Sequence, residues 1–170
     1  VARAIHEQGA RKSIPLVTMN CAAIPDSLIE SELFGYEKGA FTGAEKSTQG
    51  LIESADNGTL FLDEVAELSP SAQAGLLRVL QEGELRRLGS TKTKRINVRV
   101  LAATHRDLVA RVGQGRFRDD LLYRLKVIEI DLPPLRNRKD DLPALAEHLL
   151  QRTRAKLNSE VQGFSPGAVK

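Results

Sequence analysis

The sequence predicts an α/β fold in which a parallel sheet has helices on both faces. Short apolar runs alternate with stretches of helical spacing along the 170 residues, and this alternation is typical of such sheets. The composition is ordinary for a globular protein, with 41% hydrophobic and 28% charged residues, and the length suits one domain or slightly more. A single cysteine, Cys21, excludes an internal disulfide and indicates a reducing, cytoplasmic environment.

Charge and hydropathy exclude several classes of protein. The formal net charge of +3 is too small to indicate nucleic-acid binding by itself. Aromatic residues make up 4% of the chain and tryptophan is absent, which argues against a platform for stacking bases. No run approaches the roughly 18 consecutive apolar residues of a membrane span, so we expect no membrane partner.

The individual elements follow from the apolar pattern. Four apolar runs predict strands at residues 14–20, 59–62, 97–103 and 126–132. Helical spacing predicts helices at residues 1–9, 25–34, 69–83 and 140–157. Asn57-Gly58 is a turn signal before the second strand, and Pro133-Pro134 ends the fourth.

Both ends of the chain look like cuts through longer structure. The first residue is Val1, and the helical pattern there has no preceding N-cap residue. Ser165-Pro166 has the pattern of a new helix start, with a capping serine and a proline in the first turn. We therefore expect the chain to be a piece of a longer protein.

Polar residues follow the predicted strands at the point where each strand ends. They are Asn20, the pair Asp63-Glu64, the pair Thr104-His105, and Asp131. Ligands of parallel α/β sheets bind at the carboxyl ends of the strands. A carboxylate on a rigid strand suits Mg²⁺ bound to nucleotide phosphates, and a second one beside it can polarise a water for in-line attack. A polar loop that simply begins at Asp63-Glu64 is equally compatible with these residues alone.

Residues 35–44 form the most unusual segment, because a glycine recurs at every fourth position. The spacing does not match the phosphate-binding motif G-x-x-x-x-G-K-[ST], and charged neighbours exclude the packing of membrane helices. A hairpin that has glycines in its turns and presents Phe41 and Thr42 fits better. An exposed Phe41 would mark a binding surface; a Phe41 tucked under the loop remains the alternative.

Two arginines, Arg118 and Arg124, lie in a charged segment of helical character. Six residues correspond to about 600° around a helix, so the two do not share a face and would not clamp one phosphate as a pair. One of them could reach a nucleotide held by a neighbouring subunit; a solvated, charged helix is the alternative. The basic residues 86–95 are interpreted as a solvated face, and His6 and His148 as structural.

Five segments stand out together, at residues 32–44, 58–64, 102–105, 117–125 and 132–136. Their order and spacing closely resemble the AAA+ domain of bacterial enhancer-binding proteins, the NtrC-type activators of sigma-54 RNA polymerase. The hexapeptide GAFTGA at residues 39–44 is specific to this family, whereas many ATPases share the Asp-Glu pair. The resemblance covers essentially the whole chain.

The resemblance implies a three-layer parallel sheet of the P-loop AAA+ type. It implies an α/β subdomain over residues 1–138 and the start of a helical lid over residues 139–170. It also implies that the phosphate loop precedes Val1, together with a central strand that lies between the strands at 97–103 and 126–132. We expect the lack of this strand to leave a gap of roughly 10 Å, so that the chain alone folds poorly and is inactive.

The resemblance implies specific roles for the residues at the strand ends. Asp63 matches the Walker B aspartate that binds Mg²⁺, and Glu64 matches the glutamate that activates the attacking water. Asn20 matches an asparagine that holds this glutamate inactive until the loop engages its target. Thr104 and His105 match the first sensor of the γ-phosphate, where the family has Asn or His at the second position.

The resemblance also implies roles away from the strand ends. Arg118 and Arg124 match two arginines offered to the nucleotide across the subunit interface. Residues 87–95 fall where a second pore-facing loop lies. The loop that contacts sigma-54 consists of Gly39, Ala40, Phe41, Thr42, Gly43 and Ala44, with Phe41 and Thr42 at its tip.

The implied function is ATP hydrolysis by a homo-oligomeric ring, hexameric or heptameric, that binds enhancer DNA through a domain outside this chain. The nucleotide state would raise or retract the GAFTGA loop, and the raised loop would remodel sigma-54 so that the polymerase opens promoter DNA. Two alternatives stay open. One is an AAA+ ATPase of another branch that acts on a different client, and the other is an interaction module without enzymatic activity.

Overall fold

The computed structural model describes residues 1–159 and 161–165. Contacts divide the chain into two compact units, Val1–Ile128 and Glu129–Lys170, and each unit is described by itself. The division after residue 138 that the sequence suggests stays a prediction. The helix start predicted at Ser165-Pro166 extends outside the described residues.

The strands within the described ranges are β1 (Leu16–Asn20), β2 (Gly35–Tyr36), β3 (Thr48–Gln49), β4 (Thr59–Asp63), β5 (Glu84–Arg86), β6 (Thr93–Arg95) and β7 (Arg99–Ala102). The α-helices are α1 (Ala2–Glu7), α2 (Asp26–Phe34), α3 (Leu51–Ser54), α4 (Pro70–Glu82), α5 (Leu108–Gly113), α6 (Asp119–Leu125) and α7 (Leu142–Leu157).

Three strands form the parallel sheet of the first unit. The order is β1-β4-β7, and both outer strands run parallel to the central β4. The side chains of Leu60 and Leu62 on β4 are fully buried, and burial of each contributes about 1.5–3 kcal/mol to stability. The prediction of a parallel α/β sheet is confirmed, with strands at three of the four predicted places.

The register of the sheet brings the carboxyl ends of the strands together. Asn20 lies opposite Asp63, and Leu62 lies opposite Ala102. Because neighbouring parallel strands end at the same edge, the polar residues that follow β4 and β7 also lie at that edge.

The fourth predicted strand, at residues 126–132, is wrong. No strand of the described residues includes this range, and Val127 and Ile128 are 80% and 82% exposed. The alternation of apolar and polar residues is typical of a strand, but a strand forms only where a neighbour satisfies its backbone groups. Asp131 therefore follows no strand, unlike the other residues predicted at strand ends.

Helix α4 shows how local sequence sets the boundaries of an element. Ser69 caps its start by accepting a hydrogen bond from the Ala72 N–H at 3.2 Å, and Pro70 occupies the first turn. Gly83 ends it with a φ of 64°, which favours glycine. Its buried face, which includes Leu76, joins a core shared with α2 and α6. The predicted helix is confirmed.

Two short antiparallel hairpins, β2–β3 and β5–β6, accompany the sheet. Backbone hydrogen bonds join them, because the Glu37 N–H donates to the Leu88 carbonyl and the Leu88 N–H donates to the Gly35 carbonyl, each at 2.9 Å. The glycine-rich segment and the basic segment are therefore parts of one connected structure.

The second unit contains helix α7. Pro143 lies in its first turn, where proline is tolerated, and Asn158 follows its last turn with a φ of 49°. The helix predicted at 140–157 is confirmed, with its start at Leu142. None of the helices in the described part of the chain combines the length and the apolar character that crossing a membrane requires.

Candidate functional site

The pair Asp63-Glu64 leaves the end of β4 in a constrained backbone conformation. The Ala103 N–H donates to the Leu62 carbonyl at 2.8 Å, and the Val65 N–H donates to the Ala103 carbonyl at 3.0 Å. Between these hydrogen bonds Glu64 has a φ of 55°, in the left-handed region. This conformation costs a non-glycine residue about 1–3 kcal/mol and persists only where the surroundings hold it. The end of the sheet therefore fixes the direction of Glu64.

The Glu64 carboxylate is held by Thr104 and His105, which come shortly after the end of β7 at Ala102. The Nδ1 atom of His105 lies 2.8 Å from both carboxylate oxygens, and the Thr104 hydroxyl and the His105 N–H each lie 3.4 Å from Oε2. The hydrogen bond from the His105 ring lowers the pKa of Glu64 and outweighs partial burial, which raises it. Glu64 is therefore ionised at neutral pH.

The proton of this contact belongs to His105. An ionised carboxylate only accepts hydrogen bonds, so Nδ1 carries the hydrogen, and a neutral ring then leaves Nε2 as an acceptor. The His105 side chain is 71% exposed and the Glu64 side chain is 23% exposed. Both groups are therefore accessible to a ligand from solvent.

Asp63 fits a Mg²⁺ ion that phosphates also hold. Its Oδ1 accepts the Glu64 N–H at 3.1 Å, which leaves Oδ2 without a hydrogen bond among the described residues. Within the same residues, no three His, Cys, Asp or Glu side chains converge as a metal cage. Mg²⁺ on a nucleotide needs only one or two protein carboxylates, because phosphates and water supply its other ligands.

Asn20 lies at the same edge, but its side chain is hydrogen-bonded to Ala22 and not to the Glu64 carboxylate. Its side chain accepts the Ala22 N–H at 3.0 Å and caps the short turn that follows β1. It lies opposite Asp63 in the ladder, yet the hydrogen bonds to the Glu64 carboxylate come from the segment after β7. In this state His105, rather than Asn20, holds Glu64.

A cleft of about 240 Å³ adjoins Glu64. Its polar lining residues are Cys21, Asp26, Glu64, Glu67, His105 and Arg106. Glu67 forms ion pairs with Arg106 at 2.6 Å and with Arg111 at 3.3 Å, which tie the turn after β4 to α5 and to the segment before it. Burial raises the pKa of Cys21 to about 11, so Cys21 is a neutral thiol and not a nucleophile.

Residues 39–44 form a closed hairpin loop. The Gly39 N–H donates to the Ala44 carbonyl at 2.9 Å, and the Ala44 N–H donates to the Phe41 carbonyl at 3.0 Å. Gly39 and Gly43 have φ values of 82° and 97°, which glycine adopts readily. A Cβ atom at either position would meet nothing within 4 Å, so backbone conformation, and not crowding, requires glycine here. The predicted glycine-turned hairpin is confirmed.

The tip of this loop carries an accessible aromatic side chain. Phe41 is 44% exposed, and its ring packs against Tyr36 with the ring centroids 4.9 Å apart. Thr42, the next residue, is exposed. Part of the Phe41 ring rests on its own hairpin and the rest is available to a protein partner, so Phe41 is not sealed in the core.

A buried carboxylate ties the base of this loop to the basic segment. Glu53, whose side chain is 7% exposed, pairs with Arg87 and with Lys94, each at 2.8 Å. Arg87 also pairs with Glu37 at 3.1 Å. Burial raises the pKa of Glu53, but the hydrogen bonds from Lys94 and Arg87 lower it by more. The pKa of Glu53 therefore lies below its ordinary value. The interpretation of the basic segment as a solvated face is therefore wrong for Arg87.

Arg118 and Arg124 lie at the two ends of α6. Arg118 is the N-cap residue and Arg124 lies in the last turn. The Arg118 guanidinium donates two hydrogen bonds to the Asp120 carboxylate, at 2.9 and 2.8 Å, and these raise the pKa of Arg118. The hydrogen bonds and ion pairs of the described residues do not join either arginine to the Asp63-Glu64 pair.

The structure also shows two residues that the sequence pattern did not predict, Glu53 and Gln73. Both are buried polar residues on helices, with 8% and 1% of their surface exposed. Their partners come from segments far away in the chain, such as Arg87 for Glu53 and Arg118 for Gln73. No local sequence signal distinguishes them from exposed helix residues.

A parallel sheet whose central strand ends in an Asp-Glu pair, with a Thr-His pair from the next strand beside it, defines an α/β domain of the AAA+ type. The comparison with protein families makes this more specific. The chain belongs to the family described as the sigma-54 interaction domain, which matches residues 1–131.

Relatives and solved structures agree with this family. The chain is 56% identical over 169 residues to the transcriptional regulatory protein ZraR of Escherichia coli (strain K12), which covers 99% of this chain and 38% of ZraR. It is 59% identical over 150 residues to the Nif-specific regulatory protein of Azotobacter vinelandii, which covers 88% of this chain and 29% of that protein. The chain therefore spans well under half the length of these curated relatives.

The fold is similar to that of NtrX from Brucella abortus. The crystal structure of NtrX in complex with ADP has a TM-score of 0.89 at 35% identity, over 99% of this chain and 36% of NtrX. The crystal structure in complex with ATP has a TM-score of 0.87 at 35% identity, over 97% of this chain and 35% of NtrX.

Proposed function

We propose that this chain is the ATP-hydrolysing part of an activator of sigma-54 RNA polymerase. Its family supports the partner, its relatives are regulatory proteins, and the NtrX complexes with ADP and ATP support the nucleotide. The observation that carries the proposal is the ionised Glu64 carboxylate, held 2.8 Å from His105 at the end of β4. The same unit carries the exposed GAFTGA hairpin loop.

Glu64 serves as the general base for the water that attacks the γ-phosphate. Its lowered pKa keeps it ionised and able to accept a proton. The His105 ring and the Thr104 hydroxyl occupy its oxygens first, so one of these contacts must give way to the water. Asn20, opposite Asp63 in the ladder, is the alternative partner once Glu64 leaves His105.

Asp63 would hold Mg²⁺ through the oxygen that the Glu64 N–H does not use. A bound Mg²⁺ neutralises negative charge on the phosphate oxygens. Thr104 and His105 lie beside the carboxylate pair and act as the first sensor, because a change at the γ-phosphate alters their contact with Glu64.

Arg118 and Arg124 serve the nucleotide of the neighbouring subunit in a hexameric or heptameric ring. The Arg118 side chain is 46% exposed. If its guanidinium breaks the ion pair with Asp120, it can bind the negatively charged phosphates of the neighbouring subunit's nucleotide instead. Enhancer DNA is bound by a part of the protein outside this chain, and the protein works in the cytoplasm.

The loop at residues 39–44 transmits the nucleotide state to sigma-54. Its tip offers Phe41 and Thr42 to the partner, and its base is tied through Arg87 to Glu37 and Glu53. ATP hydrolysis, with Glu64 as the general base, moves the loop between a raised and a retracted state. The raised loop remodels the closed promoter complex.

Capture of sigma-54 tests the proposal. The intact protein with a transition-state analogue of ATP hydrolysis is expected to retain sigma-54, and Phe41→Ala is expected to abolish retention. Leu157→Ala, which also removes an exposed apolar side chain (71% exposed), is the matched control and should retain it. ATP hydrolysis without any capture of sigma-54 would favour an AAA+ ATPase with another client, and absence of both would favour an interaction module.

A further inference from the structure

A buried glutamine on α4 joins two segments of the proposed machinery. The Gln73 side chain donates to the Leu68 carbonyl at 2.8 Å and to the Arg116 carbonyl at 3.2 Å. Its Oε1 accepts the Arg118 N–H at 2.9 Å. Because Gln73 is only 1% exposed, water does not replace these partners, and all of them are backbone groups.

These hydrogen bonds fix the backbone from which Arg118 projects. Arg116 and Arg118 flank Phe117, which is 4% exposed and belongs to the core. Arg118 itself has an extended backbone, with φ −80° and ψ 133°, and α6 starts at the next residue. The irregular segment before α6 is therefore anchored by one buried ring and by the Gln73 amide.

The Gln73 amide nitrogen, through the Leu68 carbonyl, also binds the turn that follows the Asp63-Glu64 pair. Leu68 ends the 3₁₀ turn that Glu64 begins as its N-cap. One side chain thus sets the spacing between the turn after Glu64 and the segment before Arg118.

We propose that Gln73 is a positioning residue for Arg118 in ATP hydrolysis. The inference rests on the proposed function, in which Arg118 serves the nucleotide of the neighbouring subunit. Without the amide, the Arg116 carbonyl and the Arg118 N–H lose their buried partner and the segment shifts. A misplacement of about 1 Å in a positioned group can lower a rate by about 100-fold. Gln73 is 1% exposed and acts through the backbone groups that it binds.

The first measurement is steady-state ATP hydrolysis by the intact protein. Gln73→Met keeps the length of the side chain and removes its amide, and it is expected to lower kcat roughly 10- to 100-fold with nucleotide affinity unchanged. Gln81→Met makes the same substitution at an exposed position of α4 and is expected to keep the wild-type kcat. A wild-type kcat in Gln73→Met would overturn the proposal.

Mixtures of variants show which half of the site is damaged. A Gln73→Met subunit keeps Glu64, and a Glu64→Gln subunit keeps a well-placed Arg118. Their mixed ring contains interfaces at which an intact Glu64 faces a well-placed Arg118. The mixture is therefore expected to hydrolyse ATP faster than either variant alone. A mixture of Gln73→Met with Arg118→Ala contains no such interface, and its rate of ATP hydrolysis is expected not to exceed that of Gln73→Met alone.

A third mixture separates failure of this proposal from failure of the proposed function. Arg118→Ala mixed with Glu64→Gln should regain activity if Arg118 acts across the interface; no recovery there overturns the role of Arg118 and this proposal with it. Recovery there, without recovery for Gln73→Met mixed with Glu64→Gln, overturns the role of Gln73 alone. Should Gln73→Met not melt cooperatively, Gln73→Leu, which also removes the amide and adds no charge to the buried site, is tested in the same mixtures with the same expected outcomes.

Discussion

His105 and Glu64 form a close pair at the ends of two neighbouring parallel strands, with Nδ1 of the ring 2.8 Å from both carboxylate oxygens. The two residues are 41 positions apart in the sequence, and the coincident ends of β4 and β7 bring them together. The left-handed backbone of Glu64 aims the carboxylate, and the ring holds it in its ionised form. The structure therefore already orients and ionises the carboxylate that we propose as the general base.

In the intact protein, replacement of Glu64 by Gln is expected to lower kcat for ATP hydrolysis by about 10²- to 10⁴-fold while ATP still binds. The amide keeps the shape of the side chain but cannot take a proton from water. Steady-state hydrolysis and equilibrium binding of a fluorescent nucleotide measure the two effects. Glu82→Gln, at an exposed glutamate of α4, should leave both unchanged. Undiminished hydrolysis by Glu64→Gln would remove Glu64 from the chemistry.

Replacement of His105 by Ala is expected to lower kcat roughly 10- to 100-fold, because the Glu64 carboxylate loses its shortest contacts. His105→Asn should lower kcat by less than His105→Ala, since the Asn amide offers a hydrogen-bond donor to the same carboxylate. The control is His148→Ala, at an exposed position of α7. Equal rates for the wild type and His105→Ala would show that the pair has no part in hydrolysis.

Replacement of Gly89 by Ala is expected to reduce transcription activation and to leave most of the ATP hydrolysis. A Cβ atom at Gly89 would lie 2.7 Å from the Ala40 Cβ in the hairpin loop, so the loop must move. Gly83→Ala shares a positive φ, 64° against 73°, but meets only the Ile96 carbonyl at 3.3 Å. Equal activation by the two variants would argue against a requirement for this contact.

Replacement of Glu53 by Gln is expected to lower the free energy of unfolding by about 1–3 kcal/mol at pH 7, because Arg87 and Lys94 lose a buried partner. Hydrogen bonds from Lys94 and Arg87 hold the pKa of Glu53 below its ordinary value, so its stabilising effect is complete above the unfolded-state pKa and is lost as the pH falls through the folded-state pKa. Denaturant unfolding at a series of pH values measures the difference between the variant and the wild type. This difference should shrink in acid, and the exposed Glu45→Gln should show none at any pH. A difference that stays constant into acid would contradict the ion-pair explanation.

Much of the fold could be predicted because several elements carry their own signals. The start of α4 at Ser69-Pro70, its end at Gly83 and the apolar runs of β1, β4 and β7 are all local features. The run at 126–132 has an equally clear pattern, but no described strand includes it. Strand formation depends on a neighbour, and a local pattern does not reveal one.

The site could be predicted only as far as topology determines it. Parallel strand ends meet at one edge, so the proximity of Asp63, Glu64 and Thr104 followed from the order of the chain. The choice of His105 over Asn20 as the partner of Glu64 depends on a left-handed backbone and on side-chain torsions. These arise from the packed structure and leave no periodic trace in the sequence.

Thr42→Ala in the intact protein tests most directly whether the nucleotide state controls a loop that acts on sigma-54. ATP turnover and sigma-54-dependent transcription are measured on the same preparation. Transcription is expected to be lost while most of the turnover remains, and Thr153→Ala, on the exposed surface of α7, should keep both. Transcription at the wild-type level by Thr42→Ala would contradict the assignment of the loop.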